Sequence, residues 1–515
     1  MLIATNLNKE CESKYCCRRS CRLHLGTSSH FVTDGQNCES AEKHKFRNLI
    51  SSKHFSCPRL THRPRDLSDT PTEYITIMAT HADLKQMMAN DPRLKTLFLT
   101  YTLRLNNDDF RLAIAENTLI EEIVISADAS FFQECSEVKL QGALEAIGRL
   151  PKLRKLTINS YPKSEGKVSL RAIKPIVLGA TNLEEIFICD LQVTGSPQDF
   201  EVFAERVQRM NFLRVFCFSD CKVSLESSNL TDSQQSCVKS SAFAPQEQDL
   251  LKSLMMSLSI LPSLEVVVFQ AQEEGGLGRL STSAASSLCL SASIRVIELR
   301  MIELSGAHIS SMAQLLLINR SLVSLELGSI QRLDREAAIA LGNVFKANTA
   351  LERLELSLVT MIPDFSAHVL SSALRHNCRL RSFTLTASNS NNSKIFGRVT
   401  TKCRQAFLEM LKYNYALKQF FLFRKFPLRR ELKMYAELNK MGRGNLLQAS
   451  SNCPEAWLEK LAELKDDLNS IYYLLSSNPT LCIRLSSTSD SFDSGKLKKR
   501  MTETGEPKRK RLRAV

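Results

Sequence analysis

One short hydrophobic pattern returns along most of the chain: two apolar residues separated by two variable positions, then a third apolar residue after one more variable position. Residues two positions apart point to the same side of a β-strand, so each occurrence predicts a short strand with one buried face. The pattern occurs in eleven windows. They are Leu94-Leu97-Leu99, Ile120-Ile123-Ile125, Leu153-Leu156-Ile158, Leu183-Ile186-Ile188, Leu213-Phe216-Phe218, Leu264-Val267-Phe269, Ile294-Ile297-Leu299, Leu322-Leu325-Leu327, Leu351-Leu354-Leu356, Leu380-Phe383-Leu385 and Leu417-Phe420-Leu422.

The spacing of these windows is regular, although regular spacing was not used to find them. Six of the ten steps between consecutive windows measure 28 to 30 residues. Between windows the hydrophobic period becomes helical: residues 334–346 begin with Asp334, a good N-cap residue, and continue with apolar residues at helical spacing. Residues 309–318 and 404–412 follow the same pattern. We therefore predict one strand and one helix in each unit, stacked so that neighbouring units bury a continuous core.

Several windows share a second feature, an asparagine three residues before the first apolar position. These residues are Asn117, Asn319, Asn348, Asn377 and Asn414. Asparagine tolerates the left-handed backbone conformation that often ends a helix. We expect these asparagines to adopt that conformation in the turn between helix and strand.

The repeat resembles the ribonuclease-inhibitor-like class of leucine-rich repeats, which also forms the sensor arrays of NOD-like receptors. The resemblance covers about residues 83–424 and implies an α/β solenoid, a horseshoe with a parallel concave sheet, convex helices and a helical C-terminal cap. The chain departs from the family at the asparagine that follows each strand, because Leu327 is followed by Gly328, Ser329 and Ile330. We therefore expect the family's buried asparagine ladder to be absent or replaced.

The pattern divides the chain into four parts. Residues 1–77 form a basic leader without repeats, residues 78–424 the array of about eleven units, residues 425–484 the helical cap and residues 485–515 a polar, basic tail. The longest step between windows places a loop insertion at residues 222–248. The leader and the tail are too polar to bury a core, so we expect both to be disordered.

The leader also contains six cysteines, among them Cys17 and Cys21, which lie near His24. A zinc site is the alternative to disorder here, but the regular Cys-x-x-Cys pairs that zinc sites use are missing.

The middle outward position of each predicted strand forms one row along the concave face. The row consists of Phe98, Val124, Thr157, Phe187, Cys217, Val268, Glu298, Glu326, Glu355, Thr384 and Phe421. It changes from mainly apolar residues to three consecutive glutamates, whose mutual repulsion Arg300 and Arg353 are placed to reduce.

From this row we predict a partner-binding site. Its residues are Phe98, Val124, Phe187, Val268, Glu298, Glu326, Glu355 and Phe421. The expected partner is a protein with a basic segment over the glutamates and an apolar anchor near Phe187 and Val268. The alternative is an ordinary solvated strand surface.

The net charge of +14 is concentrated at the ends of the chain. Residues 496–515 contain nine basic residues and two acidic ones, whereas the array is nearly neutral. The basic residues form two clusters, Lys496, Lys498, Lys499 and Arg500, followed by Lys508, Arg509, Lys510, Arg511 and Arg513. Two such clusters resemble a bipartite nuclear localisation signal that importin recognises. A cytoplasmic protein whose tail contacts RNA or anionic lipid non-specifically is the alternative.

Signals of enzymatic chemistry are weak. The glycines Gly275, Gly276 and Gly278 lack the Lys-Ser/Thr of a phosphate-binding loop, and no histidine belongs to a recognisable catalytic or metal motif. We therefore expect no enzymatic activity, no cofactor, no metal and no membrane association, and we predict a protein-interaction scaffold. Two alternatives are the substrate-recognition subunit of a ubiquitin ligase and a regulator of small GTPases; direct RNA binding is disfavoured by the nearly neutral array.

Overall fold

The computed structural model describes residues 90–92, 94–99, 108–127, 137–160, 166–225, 250–272, 277, 280–387, 400–422, 429–448, 454–464 and 467–477. All of them belong to one compact unit, Arg59–Val515. The predicted leader (1–77), the predicted tail (485–515) and residues 226–248 of the predicted insertion lie outside the described residues.

The second and third apolar residues of each of the eleven windows lie on one strand of the main sheet. All of these strands are parallel, and they follow one another across the sheet in the order of the windows along the chain. Two further strands, β4 and β6, lie off this path. The thirteen strands of the described residues are β1 (Thr96–Leu99), β2 (Glu122–Ala127), β3 (Lys155–Ser160), β4 (Gly166–Ser169), β5 (Glu185–Cys189), β6 (Leu191–Gly195), β7 (Val215–Leu225), β8 (Val266–Ala271), β9 (Val296–Arg300), β10 (Ser324–Ile330), β11 (Arg353–Leu358), β12 (Ser382–Ala387) and β13 (Gln419–Leu422).

Helices connect the strands and pack side by side on the other face of the sheet. The fourteen helices of the described residues are α1 (Asp108–Glu116), α2 (Glu137–Gly148), α3 (Leu170–Gly179), α4 (Pro197–Val207), α5 (Leu250–Ser259), α6 (Thr282–Leu288), α7 (Gly306–Leu316), α8 (Arg335–Ala347), α9 (Asp364–Leu374), α10 (Thr401–Tyr413), α11 (Arg429–Lys440), α12 (Arg443–Gln448), α13 (Pro454–Glu463) and α14 (Leu468–Ser477). Asp334 caps α8 as predicted, because its side chain accepts a hydrogen bond from the Ala337 amide.

A small second sheet corrects the predicted insertion. Residues 222–225 do not belong to a loop: they are the end of β7, and they pair in parallel with β6, which in turn pairs with β4. Asp190, which has a φ of 55°, makes the bend between β5 and β6. The apolar residues Leu191 and Val193 are buried, so this short alternation makes a second strand instead of a solvent-exposed connection.

The apolar positions of the windows form one continuous core that extends from Leu94 to Tyr435. Leu97, Leu99, Leu325 and Leu354 have no exposed surface. The helices α11 to α14 add a smaller cluster around Trp457. The predicted helical cap is therefore present at the carboxyl end of the array, where it covers the last units.

The asparagines before the strands do not adopt the left-handed conformation that we predicted. Asn348 has φ −75° and ψ 129°, and Asn414 has φ −83° and ψ 116°. Their side chains explain the difference. The Oδ1 atom of Asn348 accepts hydrogen bonds of 2.8 Å from the amides of Ala350 and Leu351, which holds the turn while the backbone remains extended. The same pair of bonds recurs at the other four positions, Asn117, Asn319, Asn377 and Asn414.

These asparagines also connect consecutive repeats through hydrogen bonds to backbone carbonyls of the preceding repeat. Asn319 donates from Nδ2 to the carbonyls of Cys289 and Ser291, and Asn348 donates to those of Leu316 and Asn319. Asn377 donates to the carbonyl of Phe345, and Asn414 and Asn439 each donate to two carbonyls. We call residues Asn319, Asn348, Asn377, Asn414 and Asn439 the asparagine ladder.

A buried arginine continues this pattern in the cap. Arg443 has no exposed surface, and its Nη2 donates to the carbonyls of Leu411 (2.7 Å) and Asn414 (3.1 Å). The rings of Tyr415, Tyr435 and Tyr473 surround its guanidinium, with centroids 4.8, 5.0 and 5.4 Å away. Cation–π attraction and these hydrogen bonds offset part of the cost of burying the charge, and burial still lowers the pKa of Arg443.

Candidate partner-binding face

The predicted concave row is in register from one end of the sheet to the other. Phe98 pairs with Val124, and the pairing continues strand by strand to Thr384 and Phe421 without a break. The eleven residues are therefore neighbours across adjacent strands, about 4.8 Å apart, because the strands are parallel and hydrogen-bonded. The alternating direction of side chains places all of them on the face opposite the core.

The centre of this face is an apolar block. Cys217 and Val268 belong to the row, and Val266 and Val296 lie beside it on the same face. All four are at most 7% exposed. They therefore stiffen the centre of the face and offer little free surface to a partner.

The three glutamates of the row form one charged cluster with two arginines. Arg300 approaches Glu326 with both ends of its guanidinium, at 2.6 Å from Nε to Oε1 and 2.7 Å from Nη2 to Oε2. Its Nη2 also lies 3.0 Å from Oε2 of Glu298. Arg353 donates to Glu355 at 3.4 Å. The predicted neutralisation by Arg300 and Arg353 is thus present, and three carboxylates face two guanidinium groups.

Burial changes the protonation of this cluster. It raises the pKa of Glu298 to about 7, because a carboxylate is poorly solvated there and Arg300 only partly compensates. Burial also raises the pKa of Glu355, whose neighbour Glu326 adds repulsion. The pKa of Arg300 is raised by the surrounding carboxylates, Glu298 above all, against the opposing effect of its own burial. Near neutral pH the net charge of the cluster is consequently small and sensitive to pH.

The amino-terminal part of the face is more polar than the row alone suggested. Lys155 bridges to Glu122 at 2.7 Å and lies over the ring of Phe187 at 5.6 Å from its centroid. Glu185 lies beside them on the same strand as Phe187, and burial raises its pKa. Phe187 is therefore an aromatic ring framed by charges.

The predicted site residues differ in accessibility. Val124, Val268 and Glu298 are buried, so a partner cannot contact much of their surface. The other five are half-buried: Phe98, Phe187, Glu326, Glu355 and Phe421. The interpretation as an ordinary solvated surface does not fit Glu298, whose carboxylate is enclosed by its neighbours.

The comparisons with known proteins find solved structures of low sequence identity and low TM-score. No protein-family model and no curated protein matches the sequence. One similar solved structure, "Leiomodin-1 Actin-Binding Site 2 (ABS2)", is 14% identical with a TM-score of 0.24, and the match covers 40% of this chain and 96% of that one. A second, "Crystal structure of TLR13-ssRNA13 complex", is 14% identical with a TM-score of 0.31, and the match covers 57% of this chain and 39% of that one.

The decisive observation is the coincidence of eleven motif windows with eleven parallel strands in chain order, alternating with helices. The fold is a leucine-rich-repeat solenoid. In this solenoid the repeat aligns the eleven side chains of the concave row on consecutive strands.

One feature of the solenoid was missed in the sequence. From β1 to β9 the residues just before the strands of the main sheet alternate in charge, and Glu352 and Arg381 carry opposite charges before β11 and β12. Several of these neighbours form ion pairs. The pairs are Lys95–Glu121 at 3.3 Å, Arg154–Glu184 at 3.5 Å, Arg214–Glu265 at 2.9 Å and Arg381–Glu352 at 3.5 Å. The signal was present, because each of these residues directly follows the first apolar residue of a window.

The remaining predictions concern the basic tail, metal binding and membrane association. The predicted nuclear localisation residues 496–513 lie outside the described residues. In the part of the chain that the structure describes, no group of three or more histidine, cysteine, aspartate or glutamate side chains is arranged to hold a metal ion. None of the described helices combines the length and hydrophobicity needed to span a membrane.

Proposed function

We propose that this protein is a non-enzymatic scaffold that binds a protein partner on the concave face of the solenoid. The observation that carries the proposal is the in-register row, in which half-buried aromatic rings at Phe98, Phe187 and Phe421 accompany the carboxylates of Glu326 and Glu355. Aromatic side chains, phenylalanine among them, are enriched at protein interfaces.

The charged cluster specifies the chemistry of the partner. Three carboxylates opposite two guanidinium groups leave a small negative excess, so a partner that brings a basic residue to Glu355 completes the cluster. An apolar residue of the partner fits beside Phe187. A strongly basic segment is not required, because Arg300 already satisfies Glu326.

Affinity purification of the tagged full chain from cells, followed by quantitative mass spectrometry, tests this proposal. We expect the partner to be lost when Glu326 and Glu355 are both replaced by glutamine, and also after Phe187→Ser. The matched controls are a double glutamine variant at Glu201 and Glu205 on α4, and Ile339→Ser on α8; these side chains are exposed on helices. If every co-purifying protein is retained by all variants, the concave face is not the binding site.

We further propose that the protein acts in the nucleus and reaches it when importin binds the tail. Support comes from the two basic clusters of residues 496–513 in a chain whose array is nearly neutral. Alanine replacement of Lys498, Lys499, Lys510 and Arg511 in the full chain should shift a fluorescent fusion from the nucleus to the cytoplasm. A distribution that does not change would contradict this role of the tail.

We also assign the repeats to the ribonuclease-inhibitor-like class. The support is the 28- to 30-residue step together with an α-helix in nearly every unit. The asparagine ladder before the strands distinguishes this chain from the pattern of that class.

A further inference from the structure

A second surface lies at the edge of the sheet where the strands begin. Ile260, Leu290 and Ile318 are 60%, 60% and 67% exposed. Each lies four residues before the first apolar residue of its window, so the three side chains occupy the same place in consecutive repeats. We call Ile260, Leu290 and Ile318 the edge row.

The architecture of the repeat does not require these side chains. The equivalent position is Arg149 and Arg209 in two earlier repeats, and Ala347 and His376 in the two repeats that follow. A contiguous row of exposed aliphatic side chains confined to three repeats is typical of an interaction site.

The edge row borders an open groove of about 860 Å³. Leu290 and Ile318 supply its apolar side, and Arg295 and Arg320 are exposed charges in its lining. Arg214, which also lines the groove, is paired with Glu265 at 2.9 Å. Three arginines against one glutamate leave a positive excess in the groove.

The floor of the groove is polar but internally satisfied. Asn319 donates to the carbonyls of Cys289 and Ser291, and the Ser293 hydroxyl donates to the carbonyl of Leu261 at 2.7 Å. The Ser321 hydroxyl donates to the Ser291 carbonyl at 3.0 Å. These bonds fix the turns relative to one another, so the groove is formed in advance and offers aliphatic contacts and positive charge to a ligand.

We propose that this groove binds an acidic peptide segment of a protein partner whose apolar side chains rest on the edge row. Carboxylates of the segment face Arg320, and its leucine-like residues cover Leu290 and Ile318. The site is separate from the concave face and does not depend on the function proposed above.

Fluorescence anisotropy with the full chain and three labelled peptides tests this inference. The peptides alternate glutamate with leucine, lysine with leucine, or glutamate with serine. We expect the glutamate–leucine peptide to bind at least about tenfold more tightly than the other two, because only it supplies both contacts. Combined Leu290→Ser and Ile318→Ser substitutions should abolish this preference.

Two further variants distinguish a specific binding site from nonspecific hydrophobic binding. Arg320→Glu should weaken the glutamate–leucine peptide and strengthen the lysine–leucine peptide. Ile339→Ser removes an exposed aliphatic side chain from α8 instead and should leave binding unchanged. The four changed side chains are exposed, so thermal unfolding should be close to that of the wild type.

Any of four results would overturn the proposal: no binding of the glutamate–leucine peptide, equal binding of both leucine peptides, unchanged binding by the edge-row variant, or concentration-dependent self-association of the wild type that the edge-row variant loses. The last result would identify a second copy of this chain as the occupant.

Discussion

At the scale of single residues, the hydrogen bonds of the asparagine ladder require an asparagine side chain at one position in several repeats. Each of Asn319, Asn348 and Asn414 is buried, and each uses both ends of its amide. A buried polar group that loses its partner costs about 1–3 kcal/mol. No other side chain of similar size both accepts from two amides and donates to a neighbouring turn.

We predict that Asn348→Ala lowers the free energy of unfolding by about 2–4 kcal/mol, because the Leu316 and Asn319 carbonyls and the Ala350 and Leu351 amides lose their shared partner. Urea unfolding measures the change. Asn343→Ala, at an exposed position of α8, is the matched control and should change stability little. Equal changes in the free energy of unfolding for the two substitutions would contradict a stabilising role of the ladder.

Glu298 gives a prediction about pH. Its pKa is raised from about 4.5 to about 7 in the folded chain, so the folded state holds a proton that the unfolded state has released between these values. The stability that this proton contributes is fully present below about pH 4.5 and is lost as the pH rises through about 7. Glu298→Gln removes the titration, so its stability relative to wild type should increase by up to about 3 kcal/mol between pH 4.5 and 8.

Urea midpoints of both proteins at several pH values across this window measure that difference. Glu205→Gln, at an exposed position of α4, is the matched control for the loss of a carboxyl group. A constant difference between Glu298→Gln and wild type across this window would mean that burial does not raise the pKa of Glu298.

The spacing of the windows located four of the five ladder asparagines, all except Asn439, but predicted the wrong backbone conformation for them. The position of Asn348 follows from its distance to the window, which any repeat preserves. Its hydrogen bonds depend on a carbonyl 32 residues earlier, that of Leu316, and spacing along the chain does not reveal that contact. The same applies to the burial of Glu298, which is set by neighbours on three strands.

At the scale of elements, two glycines allow helices α2 and α3 to pack closely against each other. A Cβ atom on Gly148, the last residue of α2, would lie 2.8 Å from the carbonyl oxygen of Pro175 in α3. Gly179, at the end of α3, would meet the backbone of Gly148 at the same distance. These two glycines let α2 and α3 approach through their backbones.

We predict that Gly148→Ala destabilises the protein by about 1–3 kcal/mol, because the helices must separate or bend. Gly142→Ala in the same helix is the control, and it should stabilise the protein. Its Cβ would meet only the Arg111 side chain, at 3.5 Å, and alanine is the better helix former by about 0.5–1 kcal/mol. Thermal unfolding of both variants is the measurement. A stabilising Gly148→Ala would contradict the close approach.

Periodicity predicted the strands of the main sheet and helices such as α8 and α10, because each repeats the same burial pattern. It did not predict β4 and β6, which are short and pair only with one another and with β7. Their alternation covers too few residues to be distinguished from a turn. The end of β7 was assigned to the insertion for the same reason.

At the scale of the whole molecule, each repeat contacts mainly its neighbours, so a change at one end should remain local. We predict that Arg443→Met, which removes the donors to Leu411 and Asn414, speeds amide hydrogen exchange in α10 and β13. Exchange in β2 and β3, far along the sheet, should be unaffected. Lys402→Met, at an exposed position of α10, is the control. Equal acceleration across the array would contradict local coupling.

The central claim is that a protein partner occupies the concave face. Site-specific photocrosslinking in cells tests it most directly, with a benzophenone amino acid placed singly at Phe187 or Thr384 on the concave row, or at Ile339 on the convex helix α8. We expect both concave positions to yield an adduct with the same partner protein and Ile339 to yield none. Adducts only from Ile339, or the same adduct with equal yield from all three positions, would contradict it.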